Sequence, residues 1–326
     1  MKKRWIVAIA VAAVLGGVFG MNASFWGKPE GVAFVLAHRG VHQRFHTEGL
    51  TNETCTAARI LPPTHAFLEN TLPSIEAAFA AGADMVEIDV HPTTDGEFAV
   101  FHDWTLECRT DGHGVTRTHT MQALRALDVG YGYTHDGGAT FPFRGRGVGA
   151  MPTLGEVLAA FPERRFLVNF KGSDAAEGDA MAAYLDAIEH ARPERLAFFG
   201  GAPARRLDAL RPEYKVVTRR GLRRCATDYV LFGWLGVTPE ACRDSIVFAP
   251  INYARFAWGW PDLFVSRMQA AGSEVVLIGP IDAGGPLLAS GIDDAATLDR
   301  VPAGWRGGVS TDAVEIIGPL LAERAQ

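Results

Sequence analysis

Two imidazoles, a carboxylate pair and a guanidinium fall within about seventy residues of one another, in His38-Arg39-Gly40, Glu69-Asn70-Thr71, Glu87-Ile88-Asp89 and His102-Asp103. Imidazole titrates nearest neutral pH and suits general acid and base work. Guanidinium offers a planar fork of donors, so Arg39 is a candidate to hold phosphate oxygens. Glu87 and Asp89 would repel each other and would be costly to bury unpaired. A hard divalent cation such as Mg²⁺ or Ca²⁺ removes that cost. These are the parts of a metal-assisted site for cleaving a phosphodiester.

The elements that carry these groups are short and apolar. Asp84-Met85-Val86-Glu87-Ile88-Asp89-Val90 reads as a buried strand. Side chains alternate along a strand, so Glu87 and Asp89 share one face while Val86, Ile88 and Val90 take the other. His38 follows Phe34-Val35-Leu36-Ala37 and His102 follows Phe98-Ala99-Val100-Phe101, which sets both histidines at the ends of buried strands. Asp103 either orients His102 or caps the next turn.

Further along, strands are expected near 34–38, 84–90, 165–170, 196–200, 214–218, 245–249, 274–278 and 307–310. Helices are expected over 72–81, 154–161, 175–190, 203–210, 221–232, 260–271, 293–299 and 313–324. Such alternation argues for a parallel sheet. About 290 residues remain after an N-terminal segment, which suits one α/β domain, a (β/α)₈ TIM barrel with insertions at the C-terminal face of the strands. The candidate chemistry sits at C-terminal strand ends, where such barrels keep their active sites. A hydrophobic content of 48% supports a large core, and a net charge of −6 leaves no basic footprint for nucleic acid.

The chain resembles the glycerophosphodiester phosphodiesterase family from about His38 through Lys171, and again at Gly308-Val309-Ser310-Thr311-Asp312. The matching pieces are His-Arg-Gly, Glu-Asn-Thr, Gly82-Ala83-Asp84, Glu-x-Asp-Val, Thr94-Asp95-Gly96, His-Asp and Met151-Pro152-Thr153-Leu154. The resemblance implies a (β/α)₈ barrel, a divalent metal, and hydrolysis of glycerophosphodiesters to glycerol 3-phosphate and an alcohol. It makes His38 and His102 the catalytic acid/base pair and Glu87 and Asp89 metal ligands. Arg39 and Lys171 would share the phosphate charge.

One position departs from that pattern. The family supplies a third metal carboxylate from a strand reading Glu-x-Lys, and here the segment is Phe166-Leu167-Val168-Asn169-Phe170-Lys171. An amide oxygen can still ligate Mg²⁺ or Ca²⁺, so Asn169 is expected as the third metal ligand with one negative charge fewer. A compensating acid would come from Glu69, Asp174 or Asp312.

Insertions over about 41–68 and 92–152 leave the sheet where they would cover the barrel mouth, and long irregular loops often serve as lids or binding loops. Met1-Lys2-Lys3-Arg4 precedes the 17 uncharged residues from Trp5 to Met21, so residues 1–29 read as a membrane anchor or signal segment ahead of a barrel over 30–326. Retained, the segment would hold the protein on the cell inner membrane facing the periplasm. Cleaved, it would leave a secreted or periplasmic protein. Four cysteines fit an oxidising compartment. Pairing Cys55 with Cys108 would pin the first insertion to the loop after His102, and Cys225 would then pair with Cys242. Free buried thiols are the alternative.

Tyr253, Phe256, Trp258 and Trp260 follow the strand near 245–249 and either line the barrel mouth or pack under a loop. Lining would suit a lipid phosphodiester and a lysophospholipase D-like activity. The Asn169 departure motivates a different reading, a non-catalytic phosphodiester-binding barrel. The expected partner is thus a small-molecule or lipid phosphodiester.

Overall fold

Short apolar runs build the sheet, and the polar groups cluster where those runs end. The computed structural model describes residues 2–51, 54–281 and 291–324. An N-terminal helix, α1 (Lys2–Met21), precedes the strands β1 (Phe34–His38), β2 (Met85–Pro92), β3 (Phe98–Val100), β4 (Arg165–Phe170), β5 (Leu196–Gly200), β6 (Lys215–Thr218), β7 (Ile246–Pro250), β8 (Glu274–Ile278) and β9 (Gly308–Thr311). All but β3 run parallel, in the order β6-β5-β4-β2-β1-β9-β8-β7, and curl into a nearly closed (β/α)₈ barrel. At the seam, β6 approaches β7 without a ladder among the described residues. The helices that follow α1 are α2 (Leu72–Ala80), α3 (Met121–Arg125), α4 (Leu154–Ala160), α5 (Ala176–Ala187), α6 (Ala202–Leu210), α7 (Arg219–Phe232), α8 (Asp262–Ala270), α9 (Ala295–Leu298) and α10 (Val314–Arg324).

The expected strands form within a residue or two of their expected ends. The largest difference is at β2, which runs on to Pro92 because its upper end pairs antiparallel with β3, Val90 opposite Val100. Helix α3, with no clear apolar period of its own, lies inside the second insertion and was not expected.

Alternation decides what enters the barrel. Leu36, Met85, Leu167, Phe199, Phe248 and Ile278 point inward and pack on one another. Val35, Ala37, Val86, Ile88, Phe166 and Val168 point outward into the layer of helices. His38, Glu87 and Asn169 stand two residues beyond Leu36, Met85 and Leu167, so they form the next interior layer above an apolar floor. The insertions build a second core from Ala57, Ile60, Leu68, Phe101, Leu106, Met121, Leu124, Tyr133, Phe143 and Met151. The disulfides are Cys55–Cys108 and Cys225–Cys242.

Candidate active site

A sharp turn after β1 presents two consecutive residues to the same cavity. Successive strand side chains would face opposite ways, but Arg39 adopts a left-handed backbone, φ 59°, and Gly40 follows at φ 81°. A non-glycine residue held there costs on the order of 1–3 kcal/mol and marks a conformation imposed by its surroundings. The turn is held by Arg39 N donating to Glu87 O at 2.9 Å and by Asn70 N donating to Arg39 O at 3.0 Å. A Cβ at Gly40 would lie 2.2 Å from Ser74 Oγ, so no other residue fits.

His38 Nδ1 lies 2.5 Å from Asp312 Oδ1, and its Nε2 accepts from Arg39 Nε at 3.1 Å. The Asp312 backbone N–H donates to Asp293 Oδ1 at 2.7 Å, fixing the turn after β9. Burial opposes charge on Asp312, yet His38 and His42 hold it well below the usual carboxylate range.

Asp89 is fully enclosed. Arg39 Nε lies 3.1 Å from its Oδ2 and Lys171 Nζ 3.4 Å from its Oδ1. Asn70 Nδ2 donates to Oδ2 and Asn169 Nδ2 to Oδ1, each at 3.0 Å. Burial resists its charge, but Lys171 and Arg39 hold it well below the usual range. Glu87 is the opposite case. Its Oε2 is buried with no hydrogen-bond partner, and His38 Nε2 is 3.8 Å away. Burial and the adjacent Asp89 charge push Glu87 upward.

The network continues to residues that carry no motif. Arg109 is buried, with Nη2 donating to Glu69 Oε2 at 3.1 Å and to Thr56 Oγ1 at 2.6 Å, and Nη1 paired with Asp103 Oδ2. Glu69 Oε1 also receives Arg39 Nη1 at 3.1 Å. Asp103 Oδ1 lies 2.7 Å from His102 Nδ1, so Asp103 orients His102. One guanidinium therefore holds the partner of each candidate group, Asp103 for His102 and Glu69 for Arg39. Burial, then Arg39 and Lys171, push His102 down to about 4, which leaves it neutral at neutral pH.

Burial resists charge on Glu69, but Arg109 and Arg39 bring it from 4.5 down to about 2. A depressed carboxyl contributes stability above its unfolded pKa and loses it as pH falls through the folded one. Wild type is therefore expected to lose more thermal stability between pH 4.5 and 2 than Glu69→Gln does. Thermal melts across that window check this, and parallel curves would remove Glu69 from the account.

The cavity above the floor holds about 70 Å³ and is lined by His38, Glu87, Asn169, Ser310 and Asp312 over Leu36, Leu167, Phe199 and Phe248. Its aromatic wall is thus Phe199 and Phe248, not the group after β7. Trp260 stacks on Trp305 at 5.3 Å and Trp258 donates to Val230 O at 3.0 Å, while Tyr253 and Phe256 are exposed. Of the candidate compensating acids, Glu69 is committed to two arginines and exposed Asp174 caps Ala176 N at 3.0 Å. Asp312 alone of the three lines the cavity.

The donor set fits a hard cation. Glu87 offers an unpartnered oxygen, and Asn169, whose nitrogen is committed to Asp89, keeps its amide oxygen for the cavity. Asp89 would have to release Lys171 or Asn169 to ligate directly. His38, His42 and Asp312 form another candidate arrangement, with ligand atoms within 4.8 Å of one another. In it a hydrogen bond already joins His38 to Asp312.

Residues 38–228 match the model of the glycerophosphoryl diester phosphodiesterase family. A glycerophosphodiester phosphodiesterase of Caldanaerobacter subterraneus subsp. tengcongensis is 34% identical over 103 residues, 32% of this chain and 39% of that protein. One from Bacillus altitudinis is 33% identical over 104 residues, again 32% and 39%. The chain thus spans about two-fifths of the length of these curated relatives. The fold is shared with the crystal structure of glycerophosphodiester phosphodiesterase from Agrobacterium tumefaciens, with TM-score 0.58 and 19% identity over 88% of this chain and 100% of that one. It is shared also with an Oleispira antarctica phosphodiesterase in complex with the product sn-glycerol-3-phosphate, with TM-score 0.53 and 18% identity over 89% and 96%.

Proposed function

This chain belongs to the glycerophosphoryl diester phosphodiesterase family, and from that premise we propose that it hydrolyses glycerophosphodiesters to glycerol 3-phosphate and an alcohol by two-histidine acid/base catalysis. The observation that carries the reading is the unpartnered buried oxygen of Glu87, facing a cavity that His38 and Asn169 also line, beside the Arg39 and Lys171 cations. The family is metal-dependent in general. Glu87, Asn169 and Asp89, the last by giving up Lys171 or Asn169 as a partner, would hold a divalent cation, Mg²⁺ or Ca²⁺, which when bound would polarise a non-bridging phosphate oxygen.

Arg39 and Lys171 bind the remaining phosphate charge, since both already converge on Asp89 beside Glu87. Neutral His102, oriented by Asp103, accepts the proton of the attacking hydroxyl as the new P–O bond forms. His38, its ring fixed by Asp312, gives up the Arg39 hydrogen bond on taking a proton from solvent at Nε2, and passes that proton to the departing alkoxide as the other P–O bond breaks. Water as nucleophile gives glycerol 3-phosphate in one step, and the substrate's neighbouring hydroxyl gives a cyclic phosphate first.

The N-terminal reading belongs here too. Helix α1 is long and apolar enough to cross a membrane by length and composition, and none of its span Arg4–Met21 is buried. It would serve as a retained anchor that leaves the barrel on the periplasmic side.

The test is release of choline and glycerol 3-phosphate from glycerophosphocholine, and of choline from lysophosphatidylcholine, by the detergent-solubilised full chain with Mg²⁺, Ca²⁺ or EDTA. EDTA-sensitive turnover is expected, strongest on the small substrate because the cavity is small and, among the described residues, its aromatic wall is Phe199 and Phe248. An Asn169→Glu variant is expected to bind the cation more tightly, read by calorimetry, because it restores one negative charge at the donor set. Silence in wild type alongside activity in the variant would turn the reading to a phosphodiester-binding barrel. Silence in both would remove the substrate class.

A further inference from the structure

The exposed apolar side chains of this protein are not scattered. Beyond α1, many of them fall in three segments: Phe25 and Trp26; Val230, Leu231, Phe232, Trp234, Leu235 and Val237; and Tyr253 and Phe256. Contacts tie the first two of these segments to the end of α1. Asn22 Nδ2 donates to Trp234 O at 2.9 Å, Arg267 Nη1 donates to both Asn22 Oδ1 at 2.9 Å and Gly233 O at 3.0 Å, and Phe19 packs on Trp258 at 5.9 Å. Trp26 Nε1 donates back to Gly20 O at 2.8 Å. Contiguous exposed apolar surface on a water-soluble domain marks a contact site, and here it surrounds the point where an unburied apolar helix leaves the barrel.

Helix α7 shows the chemistry of what covers it. Leu222, Cys225 and Tyr229 face the core, and Cys225 is bonded to Cys242. Its outer face is basic in the first half, with Arg219, Arg220, Arg223 and Arg224 exposed, and apolar at the end, with Val230, Leu231 and Phe232. Arg224 pairs with Asp228 at 3.4 Å, and the other three arginines face solvent. Seven residues separate Arg224 from Leu231, about 10 Å along a helix. That spacing matches lipid phosphates at one level and the upper acyl chains 5–10 Å deeper at about the next. Trp26 and Trp234 supply the amphipathic rings that settle between the two.

We propose that this face docks on an anionic phospholipid bilayer, the same one that α1 enters. The barrel then rests on the membrane surface through its own side chains and is not merely tethered by one helix. The inference depends on the membrane reading of α1, and the test separates the two.

Single cysteines placed at Leu15, Leu231, Leu235 and Val148 in the full chain would carry spin labels, in vesicles of phosphatidylglycerol and phosphatidylethanolamine. The native cysteines are all paired in disulfides and do not compete. Leu231, Leu235 and Val148 are 55%, 57% and 61% exposed, so labels there leave the fold intact. Labels at 15, 231 and 235 are expected to react with oxygen and to be several-fold less accessible to a nickel chelate than the label at 148. A label at 15 in lipid with 231 and 235 as open to nickel as 148 would overturn the docking face and keep the anchor. All four open to nickel would overturn both. Protection at 231 and 235 with spin–spin broadening between copies would assign the face to a second chain and overturn the lipid occupant.

Discussion

Replacing His38 or His102 by Ala is expected to lower kcat on glycerophosphocholine by about 10²–10⁴-fold, the range typical of a lost general acid or base, while leaving the melting temperature close to wild type. Both side chains are partly exposed, so neither truncation opens a core void. Removal of His38 still leaves Asp312 with His42 Nε2 at 3.5 Å. Removal of His102 leaves Asp103 paired with Arg109. Each carboxylate thus keeps a cationic or polar partner, and the stability change should stay near 1 kcal/mol. Rates and thermal melts measured on the same preparations decide the matter. A fall in stability that accounts for the fall in rate would make the histidines structural.

Arg109→Met is expected to act through the opposite balance. Asp103 and Glu69 would both lose a buried cationic partner, and breaking a buried pair by removing one member costs on the order of 3–5 kcal/mol. For a domain of this size that is a drop of roughly 5–8 °C in melting temperature. Activity should fall further than stability explains, because Asp103 would no longer hold the His102 ring and Glu69 would bind Arg39 alone. Neutralising both acids in the same chain, with Asp103→Asn and Glu69→Gln added to Arg109→Met, should return part of the stability but not the kcat. A variant that regains both would show that Arg109 serves packing only. The disulfide explains how this residue is placed. Cys55 and Cys108 are bonded, and the residues following each of them, Thr56 and Arg109, hydrogen-bond at 2.6 Å.

Much of the barrel was legible because periodicity carries burial. Leu36 and His38, Met85 and Glu87, and Leu167 and Asn169 are each two apart on buried strands, so their shared face follows from alternation alone. The disulfide pairing follows from a separate argument, that Cys55 and Cys108 both lie on segments expected at the barrel mouth. What remained hidden was long in range. Arg109 lies in a loop with neither a period nor a motif, and its partners Thr56, Glu69 and Asp103 are brought to it by the insertions' own core. The Tyr253–Trp260 aromatics read equally as lining or packing, because composition does not say which way a loop folds back. Their contacts with Trp305 and Val230 decide for packing in the two tryptophans.

The sequence by itself determined the chemistry available: two imidazoles, an E-x-D pair and an arginine, each at a strand end, with asparagine where a third acid is usual. Those are properties of residue type and of spacing within one strand, which the backbone's two-residue period makes local. Only the tertiary structure decided which carboxylate is free. Asp89 and Glu87 stand on one face of one strand, yet Arg39, Lys171, Asn70 and Asn169 converge on Asp89 and leave an oxygen of Glu87 alone. That convergence comes from a left-handed turn at Arg39, a neighbouring strand and a distant loop, and no one stretch of the chain contains it.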